Sequence, residues 1–266
     1  MSPRFALALL LAGAPAAAQT LARRVAAAPN GTARFTFAAR PGVCGNGRNM
    51  IAWECRDDRC GRHTISFSSS VAGDEVEYDC EPGPVRVSLT LHGGAVASVR
   101  TYVGGRWATP RAGVVTDFGS VAVRDAVDFL VDLARRSDGR AGEEAILPVT
   151  LADSVIVWPT LLNLARDERV PRQSRRQAVF WLGQAAGDAA TSGLTGLVDD
   201  SDVDREVKEH AVFALSQQPR AEGVPALIHI ARTHRDRDVR RKALFWLGQT
   251  DDPRALALFE ELLTRP

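Results

Sequence analysis

The sequence predicts an α+β protein in which a small, disulfide-stapled β domain is followed by an α-helical solenoid. Two observations support this prediction. All four cysteines lie between residues 44 and 80, among short runs of β-branched and aromatic residues. Further along the chain, a seven-residue motif recurs at a period of about 33 residues. Self-similarity at such a period is typical of stacked helical repeats.

The repeated motif is Ala178-Val-Phe-Trp-Leu-Gly-Gln184, which returns almost unchanged at Ala243–Gln249 and more weakly at Ala211–Gln217. The phenylalanine in its third position recurs at intervals of 33 and 32 residues, as Phe180, Phe213 and Phe245. Each copy is expected to form the second helix of a helix–turn–helix repeat. The region from 118 to 266 is therefore predicted to be the helical domain.

Residues 1–18 have the pattern of a cleavable secretory signal peptide. Arg4 supplies a positive charge, Phe5–Ala12 is apolar, and small residues lead to a cleavage site near Ala18. We therefore expect the mature protein to begin at Gln19 and to be periplasmic or secreted.

Charge and hydropathy exclude two classes of partner. The net charge is +1 and falls to zero once the signal peptide, whose only charged side chain is Arg4, is removed. A neutral chain does not favour nucleic acid. No run of about 18 apolar residues predicts a membrane-spanning helix. Arginine replaces lysine almost everywhere, Lys208 and Lys242 being the exceptions, which is typical of a GC-rich bacterial genome.

An even number of cysteines in an exported protein predicts disulfides. Three pairings are possible, and we favour Cys55 with Cys60 and Cys44 with Cys80, because Cys55 and Cys60 flank a short loop. The alternative is a zinc site. The spacings of 11, 5 and 20 residues lack the C-x₂-C pairs that such sites usually contain, so no metal is predicted.

The β domain is predicted over residues 34–117, after a loose N-terminal arm at 19–33. Its strongest feature is a pair of alternating apolar and polar runs joined by Gly93 and Gly94, which is the pattern of a β-hairpin. The predicted strands are Arg34–Phe37, Met50–Trp53, Thr64–Phe67, Val76–Tyr78, Val85–Leu91 and Val96–Val103.

The periodicity changes from two to about 3.6 residues near Phe118. Ser120 is expected to cap a helix whose apolar face runs from Val123 to Ala134. A further helix is expected over Glu143–Ala152, kinked or begun by Pro148. The paired helices of the repeats follow from Trp158, and a final first helix over Asp252–Leu263 ends the stack.

The repeats resemble the HEAT family, in its short bacterial, PBS-lyase-like form, over residues 155–266. The resemblance rests on Asp238-Val-Arg-Arg-Lys-Ala243 with Leu247 and Gly248, and on the equivalent residues of the other two copies. The middle copy departs from the pattern, with Lys208 at an arginine position and Ser216 at the glycine. The resemblance implies an α-solenoid that acts as an interaction scaffold.

A helical wheel divides each motif into two faces. With 100° per residue, Trp181 and Trp246 fall on the core side, whereas the three phenylalanines fall on the opposite side within a polar surface. Second helices line the concave side of a solenoid, so the phenylalanines are expected to form a column there. The predicted partner-binding residues are Phe180, Phe213, Phe245, Arg176, Gln184, Gln217, Arg241 and Gln249.

Two functional hypotheses remain open. The first is a non-enzymatic scaffold that binds a protein or peptide on the concave face, unless the β domain or a second subunit covers the phenylalanines. The second is a lyase-like or enzyme-accessory binder of a small hydrophobic ligand, which a cleft with convergent His or Glu beside the phenylalanines would favour. Catalytic motifs are absent from the sequence, no cofactor is predicted, and the five histidines are interpreted as solvated or structural.

Overall fold

A computed structural model describes residues 20–53, 64–66, 80–107, 113–184 and 188–264. In this structure a β-sheet region packs against one end of an array of paired helices.

The secondary structure follows the chain in the predicted order, with strands first and helices after them. The strands are β1 (Gly31–Phe37), β2 (Cys44–Gly45), β3 (Met50–Ala52), β4 (Thr64–Ser66), β5 (Glu81–Pro82), β6 (Val85–His92), β7 (Ala95–Val103) and β8 (Val115–Ser120). The helices are α1 (Leu21–Ala26), α2 (Val123–Arg136), α3 (Arg140–Glu144), α4 (Ile146–Thr150), α5 (Trp158–Arg166), α6 (Arg172–Gln184), α7 (Asp188–Asp199), α8 (Arg205–Ser216), α9 (Arg220–Thr233), α10 (Arg237–Leu247) and α11 (Pro253–Thr264).

The β region contains two four-stranded sheets. The larger has the order β7-β6-β1-β8, and the smaller has the order β4-β3-β2-β5. The predicted hairpin joins β6 to β7 through Gly93 and Gly94, whose φ angles of 59° and 76° require glycine in this tight turn. Strand β7 is consequently an edge strand of the larger sheet.

The favoured Cys44–Cys80 disulfide is confirmed. It joins β2 to the residue before β5, with the two Cα atoms 5.2 Å apart. Cys55 and Cys60 lie outside the described residues, as do the signal peptide and the predicted strand Val76–Tyr78.

The prediction of a loose arm over residues 19–33 is wrong for its described part. Residues 21–26 form α1, which buries Leu21 and Val25, and residues 31–33 begin β1. The two buried side chains are four residues apart and so share one helix face. The surrounding alanines made this periodicity weak in the sequence.

The start of the helical region also differs from the prediction. Ser120 is the last residue of β8, which pairs in parallel with β1, and Ala122 occupies the N-cap position of α2. The predicted helix around Pro148 is two short helices that meet at Ala145. Pro148 lies in the first turn of α4, where the N–H that proline lacks has no helical acceptor.

The β region and the helices share one hydrophobic core, so the predicted boundary near residue 117 does not separate two cores. The ring of Phe35 on β1 meets Phe129 on α2 edge-on at 6.1 Å, and Trp53 lies 5.5 Å from Trp181 on α6. The first contact joins the sheet to α2, and the second places the β region at the first repeat, with β7 beside α3 and across a cavity from α6.

The repeats are the helix pairs α5/α6, α7/α8 and α9/α10, followed by α11. Second helices of neighbouring repeats approach closely, because a Cβ added to Gly183 would lie 2.8 Å from the Cβ of Ala214. Ala214 holds the position that Trp181 and Trp246 hold in the other repeats. This contact explains the substitution, since an indole could not fit against Gly183.

Trp181 is 4% exposed, as predicted for a core residue. The same prediction for Trp246 is only partly right, because this side chain is half-buried. Its ring packs between Phe213 and Phe245, at centroid distances of 4.9 and 5.0 Å, and both of those rings contact solvent.

We predict that Trp181→Ala lowers the free energy of unfolding by about 3 to 5 kcal/mol, the usual cost of removing a large buried aromatic side chain. Trp246→Ala should cost less, because part of its ring is already in water. Urea denaturation of both variants would check this order, with Phe245→Ala as a control of small effect. An equal loss for the two tryptophan variants would contradict it.

Candidate functional site

A cleft runs along the face formed by the second helices α6, α8 and α10, and its other wall is made by α3 and the edge of β7. We call it the repeat cleft. It contains two adjoining cavities of about 340 and 600 Å³, which share Glu143, Gln177 and Phe180. The first cavity is lined further by Gln173, Arg176, Glu206, Glu209, His210, Phe213, Lys242 and Trp246. The second is lined further by Arg48, Asn49, Val99, Arg100, Thr101, Tyr102, Glu144, Leu147 and Trp181.

The three phenylalanines point away from the core, on the side that the wheel predicted, but they are not equivalent. Phe180 is 40% exposed and lines both cavities. Phe213 is half-buried against Trp246 and lines only the first cavity. Phe245 lies beyond Trp246 and is 55% exposed. The middle ring is therefore the most covered of the three, and Phe245 is the most exposed and lines neither cavity.

The β region approaches this column without covering it. Strand β7 forms a wall of the second cavity opposite Phe180, yet Phe180 and Phe245 both remain exposed. The cleft is thus open to solvent within the described chain.

The two predicted arginines lie on the second helices and are already paired. Arg176 lines the first cavity and donates to Glu206 at 3.1 Å. Arg241 is exposed and lies 2.9 Å from Asp238 on its own helix.

The predicted glutamines do not gather around the phenylalanines. Gln184 lines a different cavity, of about 280 Å³, beside Trp53 and Trp158. Gln217 and Gln249 are exposed residues just after the ends of α8 and α10 and line neither cavity of the cleft. A helical wheel gives the direction of a side chain around the helix axis and carries no information about its position along a cleft.

A second column, which the sequence analysis missed, runs beside the phenylalanines. Gln177, His210 and Lys242 stand 33 and 32 residues apart, at equivalent positions of the three repeats, and all line the first cavity. Applying the repeat period to Gln177 would have found them. Burial, and next the positive charge of Arg176, lowers the pKa of His210 below its ordinary value of 6.5.

The charged side chains of the first cavity fall into two groups. Glu206 accepts hydrogen bonds from both Arg172 and Arg176, at 3.0 and 3.1 Å. Glu143 and Lys242, in contrast, form no ion pair with any residue that the structure describes. These two side chains can meet opposite charges on a bound molecule without first breaking an internal pair.

Two indole N–H groups in the walls of the cleft are buried without an acceptor among the described residues. They belong to Trp181, which lines both the second cavity and the cavity beside Trp53 and Trp158, and to Trp246, which lines the first. Buried polar groups are nearly always hydrogen-bonded, so an orphan donor beside a cavity points to water or a ligand.

Metal binding and membrane insertion find no support in the described part of the chain. There, no group of three or more His, Cys, Asp or Glu side chains is arranged to hold a metal ion. Likewise, none of the described helices is both long and apolar enough to cross a membrane.

We predict that His210 titrates below its ordinary pKa in the folded protein. The unfolded chain then binds a proton more readily, so the free energy of unfolding decreases as the pH falls through about 6.5. Above that pH the contribution of neutral His210 is fully present. NMR titration of the His210 ring would check the midpoint, which should move upward in Arg176→Gln. An unfolding free energy with the same pH dependence in His210→Gln as in the natural protein would contradict the linkage.

Comparison with known families matches residues 200–266 to HEAT repeats. No curated protein matches the chain. The matched residues contain α8 to α11, and thus two of the three second helices that form the repeat cleft. Such repeats typically mediate protein interactions through extended surfaces. The C-terminal part of this protein is therefore a HEAT-repeat array.

Proposed function

We propose that the protein is an exported, non-enzymatic scaffold that binds a protein or peptide partner in the repeat cleft. The observation that supports this function best is the set of Phe180, Phe213 and Phe245 on three successive second helices, with Phe180 and Phe245 open to solvent. Aromatic anchors at the centre of an interface provide most of its binding energy. Exposed rings in register are therefore suited to a partner longer than one repeat.

The charges of the cleft also favour a peptide. Glu143 and Lys242 are without an ion pair in the described chain and lie on different walls, so a partner with both charge signs would find complements. The internal pairs Arg176–Glu206 and Arg205–Asp238, at 3.1 and 3.2 Å, join neighbouring second helices. They hold the cleft in shape before a partner arrives, which reduces the entropic cost of binding.

Export is part of the proposal. It is supported by the signal-peptide pattern of residues 1–18 and by the Cys44–Cys80 disulfide, since disulfides persist mainly in oxidising compartments.

A second candidate is a binder of a small hydrophobic ligand. It is favoured by His210, Glu206 and Glu209, which converge beside Phe180 and Phe213. Two of these groups are engaged by arginines: Glu206 by Arg176, and Glu209 by Arg205 at 3.7 Å. A small apolar molecule would desolvate them without replacing their hydrogen bonds, a cost that a polar peptide avoids. We therefore place this candidate second.

The test of the proposal starts with a phage-displayed library of random heptapeptides, selected on the full mature protein. Selected peptides should bind the double variant Phe180→Ala, Phe245→Ala at least tenfold more weakly in calorimetric titrations, because the variant lacks two anchors. Phe213 is left intact, since it is the least exposed of the three rings and its loss would disturb the packing most. The variant should keep its melting temperature.

Leu256→Ala is the matched control, since this leucine is 60% exposed on α11, outside the cleft. It should leave peptide affinity unchanged. If the selected peptides bind the double variant as tightly as they bind the natural protein, the repeat cleft is not their binding site. The second candidate would be favoured by two results together. The library would yield no peptide, and small apolar compounds would stabilise the natural protein against unfolding but not His210→Gln.

A further inference from the structure

The edge of β7 carries main-chain groups that have no partner in the part of the chain that the structure describes. Strand β7 pairs with β6 on one side only, and the register is regular from Leu89↔Val99 to Val85↔Val103. In a strand, the N–H and C=O of one residue point to the same side, and alternate residues point to opposite sides. Two hydrogen bonds identify which residues face outward.

The first of these bonds runs from the N–H of Val99 to the carboxylate of Glu144 on α3, at 2.8 Å. The second runs from the N–H of Gly47 to the C=O of Val103, at 2.9 Å. Val99 and Val103 therefore both direct their main-chain groups away from β6. Thr101 stands midway between them and does the same, but neither its N–H nor its C=O has a partner among the described residues.

The unpaired groups of Thr101 lie at a cavity. Thr101 is 7% exposed, yet it lines the second cavity of the repeat cleft, of about 600 Å³, together with Leu147, Phe180 and Trp181. The buried indole N–H of Trp181 also lacks an acceptor in the described chain. This part of the cleft thus combines an apolar wall with a main-chain donor and a main-chain acceptor that have no partner among the described residues.

An N–H and a C=O on the same extended residue are complementary to one residue of another extended chain, which offers the same two groups in return. Peptides bind sheet edges in this way, with main-chain bonds for affinity and side-chain pockets for specificity. Glu144 occupies the N–H of Val99 and Gly47 occupies the C=O of Val103, so the free edge between them is short. A short edge also resists open-ended pairing with other sheets.

On these grounds, and resting on the proposed function, we infer that the partner enters the cleft as an extended peptide that adds to the edge of β7 at Thr101. One peptide residue exchanges both main-chain hydrogen bonds with Thr101. Its neighbouring side chain lies on Phe180 and Leu147, and the rest of the segment continues toward Phe213 and Trp246.

Amide hydrogen exchange, followed by NMR on the full mature protein, tests this inference directly. The probe is a heptapeptide selected from the random library. The amide of Thr101 should exchange rapidly in the free protein and at least tenfold more slowly with the peptide bound. The amide of Val99 is the internal reference, because its bond to Glu144 is present in both states.

The matched variants are Thr101→Pro and Thr101→Val. Proline removes only the outward N–H, which edge strands tolerate, and should weaken peptide binding at least tenfold. Valine keeps the N–H and nearly the same shape, so it should bind like the natural protein. If Thr101→Pro does not fold, single N-methylation along the peptide replaces it, and losses at alternate residues are expected.

The outcomes separate the two proposals. If Thr101 stays unprotected and N-methylation has no alternating effect, while Phe180→Ala, Phe245→Ala still abolishes binding, the strand-addition inference is overturned and the proposed function stands. If no peptide is selected, or if binding ignores both the phenylalanines and Thr101, both proposals fail.

Discussion

The packing of Trp181 against Trp53 is the contact on which the arrangement of this protein depends. A helical repeat buries its apolar face only against a neighbour, so the first repeat of an array needs a cover. Here the cover comes from α3 and α4, which pack on α6, and from Trp53 of the β region, whose ring lies beside Trp181. The same docking places β7 beside α3 and across a cavity from α6. The cleft is therefore a consequence of how the array is capped.

The repeat period places different chemistry at equivalent positions of this cleft. The column of Gln177, His210 and Lys242 changes from neutral to titratable to cationic along three repeats. Among the neighbouring phenylalanines, Phe213 is half-buried, whereas Phe180 and Phe245 on either side of it are 40% and 55% exposed. An extended partner would thus meet a graded surface, apolar with free main-chain groups near β7 and more charged toward α10. A ligand that spans only one repeat would not contact both ends of this surface.

Ion pairs between repeats contribute shape more than stability. Arg175 has only 6% of its side chain exposed and donates to Asp204 of the next second helix at 2.6 Å, although two of its nitrogens are unsatisfied. The exposed pair Arg172–Glu206 recurs one repeat further along as Arg205–Asp238. Exposed pairs are worth about 0 to 1 kcal/mol, and buried ones often only offset their desolvation. Their value here lies in fixing the angle between helices that line one cleft.

Local patterns were enough to predict much of this fold. The 33-residue period predicted the repeats, the helical wheel placed Phe180 outward and Trp181 inward, and alternation with Gly93 and Gly94 predicted the β6–β7 hairpin. In each case the periodicity of one element decides which side of it is buried. Spacing also favoured the Cys44–Cys80 pairing.

Tertiary structure decided the features that depend on contacts between distant elements. The parallel pairing of β8 with β1, the burial of α1 and the half-exposure of Trp246 all depend on partners distant in the chain. The cleft itself joins Glu143 on α3, Thr101 on β7 and His210 on α8, which nothing in the sequence relates to one another. The sequence alone determined which side of each helix or strand is buried, because that side follows from the local periodicity of apolar residues. Only the docking of the sheet on the first repeat determined which faces meet, because that choice is made by packing between distant segments.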